Sequence, residues 1–499
     1  MTPESPPLSP FEKTIITLVG VLLLGLQVWS AFYKVSDPDE TTFVHITWLI
    51  HNGFRPYQDF FEHHSPVVPF LLSPLYHLFS DSFYIIFAHR MVALAISFIC
   101  ILLAYKVASF HFGKRIAILG LFGVCAIWRF RMVCLEFRPD LFMVMFLLIS
   151  YWVAVKNEEN RISLDFVAGM MSGISLVALQ KAVVGILGIG LIYLIRLLSS
   201  RKTKREILAS LLSILSFGLG FLAVCAGFVF ALHMSGLLDD FYAWGIRYNF
   251  IISRFHPEAY SIFRECREIG TFEPIALPLL VVGLARLLVS KGKELLPWSI
   301  VTILQVIFLL LSRVAFKHNF LFLYFLLVPV LGIAVDYLVR TFARSFRKEV
   351  LVGSIFVIYV ASGVIRQVSQ PNNSEQKDYL EKIWQVVPKE ASVFAPIPNR
   401  SAIYRKDGSF VWYNHWQVFK GMVDGRWDLI PDYLEEIKKS PPDFIFLQET
   451  CYRSQPCYYR QEELFEWVKA TYRKTEIDNL YRKPTEMEEH FERKERHTL

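Results

Sequence analysis

The chain has 499 residues, of which 54% are hydrophobic, 15% aromatic and only 19% charged. A soluble protein of this length carries more charge, and the apolar residues here fall in blocks of about twenty, the length that crosses a bilayer as a helix. The formal charge of +7 does not point to a nucleic-acid partner, because the excess base lies in short loops between the apolar runs.

The first run, roughly 13–33, follows MTPESPPLSPFEK, which lacks the basic start and small-residue cleavage site of a secretory signal, so the run is expected to be retained. Next comes SDPDETTFVHITWLIHNG. Asp37 as N-cap, Pro38 at the first helical position and Glu40 three after the cap form a capping box that opens a helix. The whole stretch 34–82 is polar for its position and includes FEHHSPVVPF, with Glu62, His63 and His64. Its helices are too short to span and are expected along the interface. His63 and His64 read as metal ligands beside Glu62 or as hydrogen-bonded interfacial histidines, and neighbours in sequence rarely share one ion.

Ten further runs predict spans at roughly 83–108, 115–130, 138–155, 164–180, 182–198, 206–233, 273–290, 296–314, 319–339 and 349–368. With the N-terminus inside, the loops holding Lys114 and Arg115, RKTKRE from Arg201, KGK from Lys291 and RTFARSFRK from Arg340 are cytoplasmic, as the positive-inside rule asks of eleven spans. Several basic residues then remain outside: Arg129, Arg131 and Arg138 in WRFRMVCLEFRPDLF, Lys181 after Gln180, and Lys317 with His318. They run against the trend. Guanidinium forks match phosphate oxygens, so a membrane-surface phosphate explains them; the plainer readings are pairing with Glu136, Asp140 or lipid headgroups, and a snorkelling Lys181.

The last segment, from about Ser369, is charged and rich in Tyr, Trp and Pro. ASVFAP and PPDFIFLQ read as strands and DLIPDYLEEIKK as a helix. The expected architecture is therefore a polytopic α-helical membrane protein with about eleven transmembrane helices (residues 1–368) and a small extracytoplasmic α/β domain (369–499). Cys451 and Cys457 read as a disulfide in an oxidising compartment or as two free thiols.

The acidic pair after the first span, followed by GFRPYQDFFEHHSPVVPFLLSPLYHLF, resembles the first external loop of GT-C-fold glycosyltransferases that use polyprenyl-phosphate sugars, a family that includes bacterial aminoarabinose transferases and protein O-mannosyltransferases. FRPDLF, LQKAVVG and FKHNFLFLYFLLVPVLG resemble later elements of the same family. The family's usual Lys and Pro pair is replaced by His63, His64, Ser65 and Pro66, and its usual Gly by Ala182.

The resemblance implies inverting transfer of a sugar from a polyprenyl-phosphate donor to a lipid, glycan or protein acceptor on the extracytoplasmic face of a bacterial inner membrane. A divalent metal is an open option. One carboxylate takes the acceptor proton while cations stabilise the departing phosphate. Asp37 and Glu40 are occupied by the cap, which leaves Asp39, the Asp that aligns with the family's acidic pair, as the expected base, with Glu40 second. Arg138, Lys181 and Lys317, then Arg131, are the expected phosphate ligands. Glu62, His64 and Asp140 are expected to orient sugar or acceptor. The rival reading is a transporter or lipid flippase, but most spans lack central ionisable residues and the two halves are not alike.

Overall fold

The computed structural model describes residues 7–79, 82–157, 161–199, 203–252, 262–289, 295–312, 316–342, 346–395, 404–410, 432–449, 457–458, 460–485 and 488. It is mostly helical, and each expected apolar run is a helix or a bent helix pair. Five helices among the described residues have the length and apolarity to cross a membrane, and seven do if each bent pair is one span. Three further expected spans are shorter apolar helices, at Ile162–Ala178, Ala276–Val289 and Leu296–Leu311, and Val357–Val368 is the apolar end of helix Phe346–Val368. Among the described residues, helices of full spanning length therefore do not reach eleven.

The chain divides into two compact units. The first comprises Met1–Lys34, His89–Ala231 and Pro257–Pro371. Its opening helix, α1 (Pro10–Tyr33), starts on a reciprocal capping box between Ser9 and Glu12. Two of its expected straight runs are bent. Lys114–Ala126 turns into Trp128–Leu135 through 79°, and Lys317–Leu326 turns into Val328–Thr341 through 56°. Pro329 accounts for the second bend, since its ring cannot pack under the carbonyl four residues earlier. No proline stands at the first. There the backbone N–H of Trp128 donates to the carboxylate of Glu273, which supplies a partner where the helix is broken.

Lipid does not drive helices together, so close backbone approach at small residues does much of the work. A Cβ on Gly120 would lie 1.8 Å from the Val328 carbonyl oxygen, and one on Gly332 2.0 Å from that of Ile116. Gly169 and Gly220 form a second reciprocal pair, against the carbonyls of Phe217 and Phe166 at 2.0 and 2.1 Å. Gly120→Leu is expected to destabilise the protein by about 3 kcal/mol or more, because backbone cannot yield as a side chain can. A thermal-unfolding series in detergent checks this, with Gly190→Ala, which meets nothing within 4 Å, as the harmless control.

The second unit comprises Val35–Ala88, Leu232–His256 and Asn372–Leu499. It holds helix α2 (Pro38–His51), short helices over Val67–Phe79, and a π-helical turn at Phe241–Tyr248. Its C-terminal part carries a five-stranded mixed sheet in the order β2-β1-β3-β5-β4. The strands are β1 (Ser392–Phe394), β2 (Lys406–Asp407), β3 (Phe444–Phe446), β4 (Arg473–Lys474) and β5 (Leu480–Arg482). The first three pair in parallel and the last two add antiparallel. Helices Tyr433–Lys439 and Gln461–Thr471 bury Leu434, Ile437, Leu464 and Val468 against Phe394 and Ile445. The strands expected from ASVFAP and PPDFIFLQ are present, and of the helix expected from DLIPDYLEEIKK the structure has Tyr433–Lys439, residues 428–431 lying outside the described residues. Cys457 is disulfide-bonded; Cys451, its expected partner, lies outside the described residues.

Candidate active site

Each unit carries one group of site residues. In the first unit, Arg138 stands in extended backbone because Pro139 follows it, Pro139 opens helix Pro139–Lys156, and Asp140 sits in the first turn where the dipole favours an anion. Lys181 and Lys317 each lie in a short 3-10 turn heading a helix. These turns bring the cations together in pairs. Lys34 Nζ and Lys317 Nζ lie 3.3 and 2.7 Å from the same Glu136 Oε1. Arg138 Nε and Lys181 Nζ each lie 3.5 Å from an oxygen of Asp140, and Lys181 donates to Asn319 Oδ1 at 2.6 Å.

The two pairs are joined through Arg138 Nη2, 3.3 Å from His318 Nε2. A guanidinium only donates, so this contact assigns the acceptor lone pair to His318 Nε2. The carboxylates of Glu136 and Asp140 are 1% and 4% exposed, whereas Lys181 and Lys317 each keep 30% of the side chain exposed. Four side chains of fixed positive charge thus converge on two buried carboxylates.

In the second unit Asp37 caps α2, accepting from the backbone N–H of Asp39 at 3.1 Å. The side chain of Asp39 lies half-buried in the first turn, and Glu40 is fully buried. Glu62 is a buried hub whose Oε1 accepts from the backbone N–H groups of His63 and His64, at 2.8 and 2.7 Å, and from His64 Nδ1 at 2.9 Å. Tyr57, held at a positive φ of 69°, donates its hydroxyl to the His64 carbonyl. Burial first, and the Glu62 charge second, push that phenol well above its usual range, so it stays a donor. Asn249 fixes the preceding carbonyl, donating to His63 O at 2.6 Å.

Glu62, His63 and His64 offer one carboxylate oxygen and two imidazole nitrogens, all within 4.8 Å of one another, the single such group among the described residues. The donor set suits zinc or another divalent transition metal. Glu62 Oε1 already takes three hydrogen bonds, so an ion here would use Oε2, with His64 offering Nε2 while its Nδ1 stays on Glu62. His64 and Glu62 thus form one local arrangement, as expected of neighbours in the loop.

Of the expected phosphate ligands, the structure groups Arg138, Lys181 and Lys317. Arg131 is not among them. Its guanidinium donates to the carbonyls of Cys125 and Ala126 and to Gln367, within the helix packing. Asp140, expected to orient sugar or acceptor, is engaged with Arg138 and Lys181. Arg129 pairs with Glu265 and Glu268, carboxylates far along the chain. Two members of the group, Lys34 as a cation and Asn319 as a ligand, are missing from the sequence expectation. A lysine at the expected outer end of a span, two residues before SDPDE, is the available signal for the first.

Residues 63–230 match the family described as dolichyl-phosphate-mannose-protein mannosyltransferase. That stretch includes Arg138, Asp140 and Lys181 and ends short of Lys317; Asp39 and Glu62 precede it. No curated protein sequence matches significantly. Among solved structures, ArnT from Cupriavidus metallidurans bound to undecaprenyl phosphate is 13% identical with a TM-score of 0.59, over 87% of this chain and 92% of that one. The Archaeoglobus fulgidus oligosaccharyltransferase, tethered to an acceptor peptide containing the NVT sequon, is 12% identical with a TM-score of 0.52, over 87% and 69%. AglB from the same organism, with an inhibitory peptide and a dolichol-phosphate, is 12% identical with a TM-score of 0.50, over 88% and 70%.

These findings define the class: the chain has the GT-C fold of membrane glycosyltransferases. Within that class it is similar, over residues 63–230, to the dolichyl-phosphate-mannose-protein mannosyltransferases. The resemblance drawn from the residues alone holds.

Proposed function

We propose that this protein is an inverting glycosyltransferase of a bacterial inner membrane. It moves a sugar from a polyprenyl-phosphate donor to a hydroxyl of a lipid, glycan or protein acceptor on the extracytoplasmic face. The observation that carries the reading is the gathering of four cations, Lys34, Arg138, Lys181 and Lys317, around the buried carboxylates of Glu136 and Asp140. The fold supports an enzyme over a transporter, since the solved structures it is similar to are transferases, one bound to undecaprenyl phosphate.

In the proposed reaction the acceptor oxygen forms a bond to the anomeric carbon as the bond from that carbon to the phosphate oxygen breaks. Asp39 takes the acceptor proton, and polyprenyl phosphate leaves with the bonding electrons. The carboxylate is presented by the first turn of α2, which Asp37 and Pro38 fix. The cations stabilise charge that grows on the phosphate. Glu62 holds the backbone of His63 and His64 in place, and with His64 orients sugar or acceptor. Residues 1–368 are proposed as the membrane domain, with its N-terminus cytoplasmic, and 369–499 as extracytoplasmic.

The test uses purified protein in liposomes with a panel of labelled polyprenyl-phosphate sugars and an envelope extract as acceptor. Release of free polyprenyl phosphate with one donor is the expected result; no turnover of any donor by folded protein sinks the reading. The same assay after chelation addresses Glu62, His63 and His64. A lost rate restored by zinc or manganese assigns them a metal, and an unchanged rate leaves Glu62 as a hydrogen-bond hub.

A further inference from the structure

The loop that carries Asp39 is tied to the C-terminal segment at both ends and twice between, all within the second unit. Ser36, the residue before the Asp37 cap, is buried and donates its backbone N–H to Gln376 Oε1 at 2.8 Å. Further along α2, His45 Nε2 lies 2.9 Å from Asp407 Oδ1, with both side chains buried. Phe61, beside Glu62, donates its N–H to the Phe410 carbonyl at 2.9 Å. Near the end of the loop, the Ser82 carbonyl accepts from the Tyr404 hydroxyl at 3.0 Å.

Three of these four ties come from residues 404–410, which contain β2, one of the two edge strands of the sheet. An edge strand leaves backbone groups and side chains open for a partner. Here Tyr404, Arg405, Asp407 and Ser409 are buried, and Tyr404 is held at a positive φ of 66° with its ring against Trp48 and Tyr76. Backbone strain of that kind in an aromatic residue persists only where its surroundings fix it. Arg405 clamps the segment to its own domain by donating through Nε and Nη2 to the carbonyl of Val387.

We propose that the C-terminal segment is the positioning element of the loop bearing the base, and that Asp407 is a positioning residue acting on α2 through His45. The first turn of α2 lies between the tie at Ser36 and the tie at His45, so Asp39 is bracketed along the chain. A buried hydrogen bond is directional and sets the rotation and register of α2 against the sheet, which apolar contact alone leaves loose. This role rests on the glycosyltransferase reading for its catalytic consequence but not for its structural one.

The test compares full-length wild type, Asp407→Ala, Asp407→Asn and Gln376→Leu in liposomes. Amide exchange across residues 38–51 needs no substrate. It is expected to quicken about tenfold in Asp407→Ala while the helices of the first unit stay unchanged; unchanged exchange in α2 overturns the proposal even if no donor is ever turned over. With a working donor, Asp407→Ala is expected to lose about 100-fold in kcat with donor KM held within about twofold. Asp407→Asn, which keeps an oxygen on the hydrogen bond, should recover most of it. His45→Ala combined with Asp407→Ala should cost no more than either alone. A raised KM with normal kcat, or additive losses, overturns the positioning role. If Asp407→Ala fails to fold, His45→Ala and Gln376→Leu, which break the ties at His45 and Ser36, are each expected to quicken exchange in α2, and unchanged exchange in both overturns the proposal.

Discussion

Asp39→Asn is expected to lower kcat by about three orders of magnitude, within the range that general base catalysis supplies, while donor KM stays within about twofold. The substitution suits the question because it removes only the basic oxygen. The hydrogen bond that closes the cap comes from the backbone N–H of Asp39, not its side chain, so the helix start survives. Asp37→Ala should do the reverse, costing about 1 kcal/mol of stability through the lost cap with less than tenfold change in kcat. Measuring unfolding and turnover on both variants separates capping from catalysis. An Asp39→Asn variant that keeps more than a tenth of the wild-type rate would return Asp39 to a local role and leave Glu40 or Glu62 as base. Glu40 is fully buried, so its replacement is expected to act on stability as well, and it is the poorer probe.

How far the sequence carries this reading differs from element to element. The apolar runs are legible because membrane burial is a property of composition over about twenty residues. The bend near residue 329 is equally legible in Pro329, although the expected run 319–339 passes straight through it. The 79° bend after Ala126 is not. Its partner is Glu273, 145 residues further along the chain, and no local pattern announces so distant a carboxylate. Arg131 and Arg129 mislead for a related reason. Residue type and expected side alone offer them phosphate, Glu136 or Asp140, whereas the structure gives Arg131 to nearby carbonyls and Gln367 and Arg129 to Glu265 and Glu268. The pairing of Arg138 with Asp140 is readable because Arg-Pro-Asp carries its own geometry: an extended residue, a helix start and a first-turn anion. Lys34 and Lys317 cannot be read as a pair, since what joins them is Glu136 and the folding of segments more than a hundred residues apart.

Arg138→Met is expected to lower kcat by about 100-fold to 1,000-fold, the cost of removing one well-placed charge stabiliser, with a smaller rise in donor KM. The asymmetry follows from the chemistry of the leaving group. A polyprenyl-phosphate sugar is a phosphodiester with one negative charge, and the departing polyprenyl phosphate is a monoester carrying about −1.5 to −2. Charge grows as the bond breaks, so the cation group is worth more in the transition state than in the bound donor. Lys317→Met removes one positive charge from beside Glu136, where Lys34 remains. Adding Glu136→Gln removes one negative charge and returns the group to its original net charge, so the double variant is expected to regain part of the rate lost in the single. Steady-state kinetics with titrated donor reads the split directly. Equal loss in KM at constant kcat would mean uniform binding of the phosphate, and a double variant no better than Lys317→Met would mean that the position of the Lys317 ammonium matters rather than the summed charge.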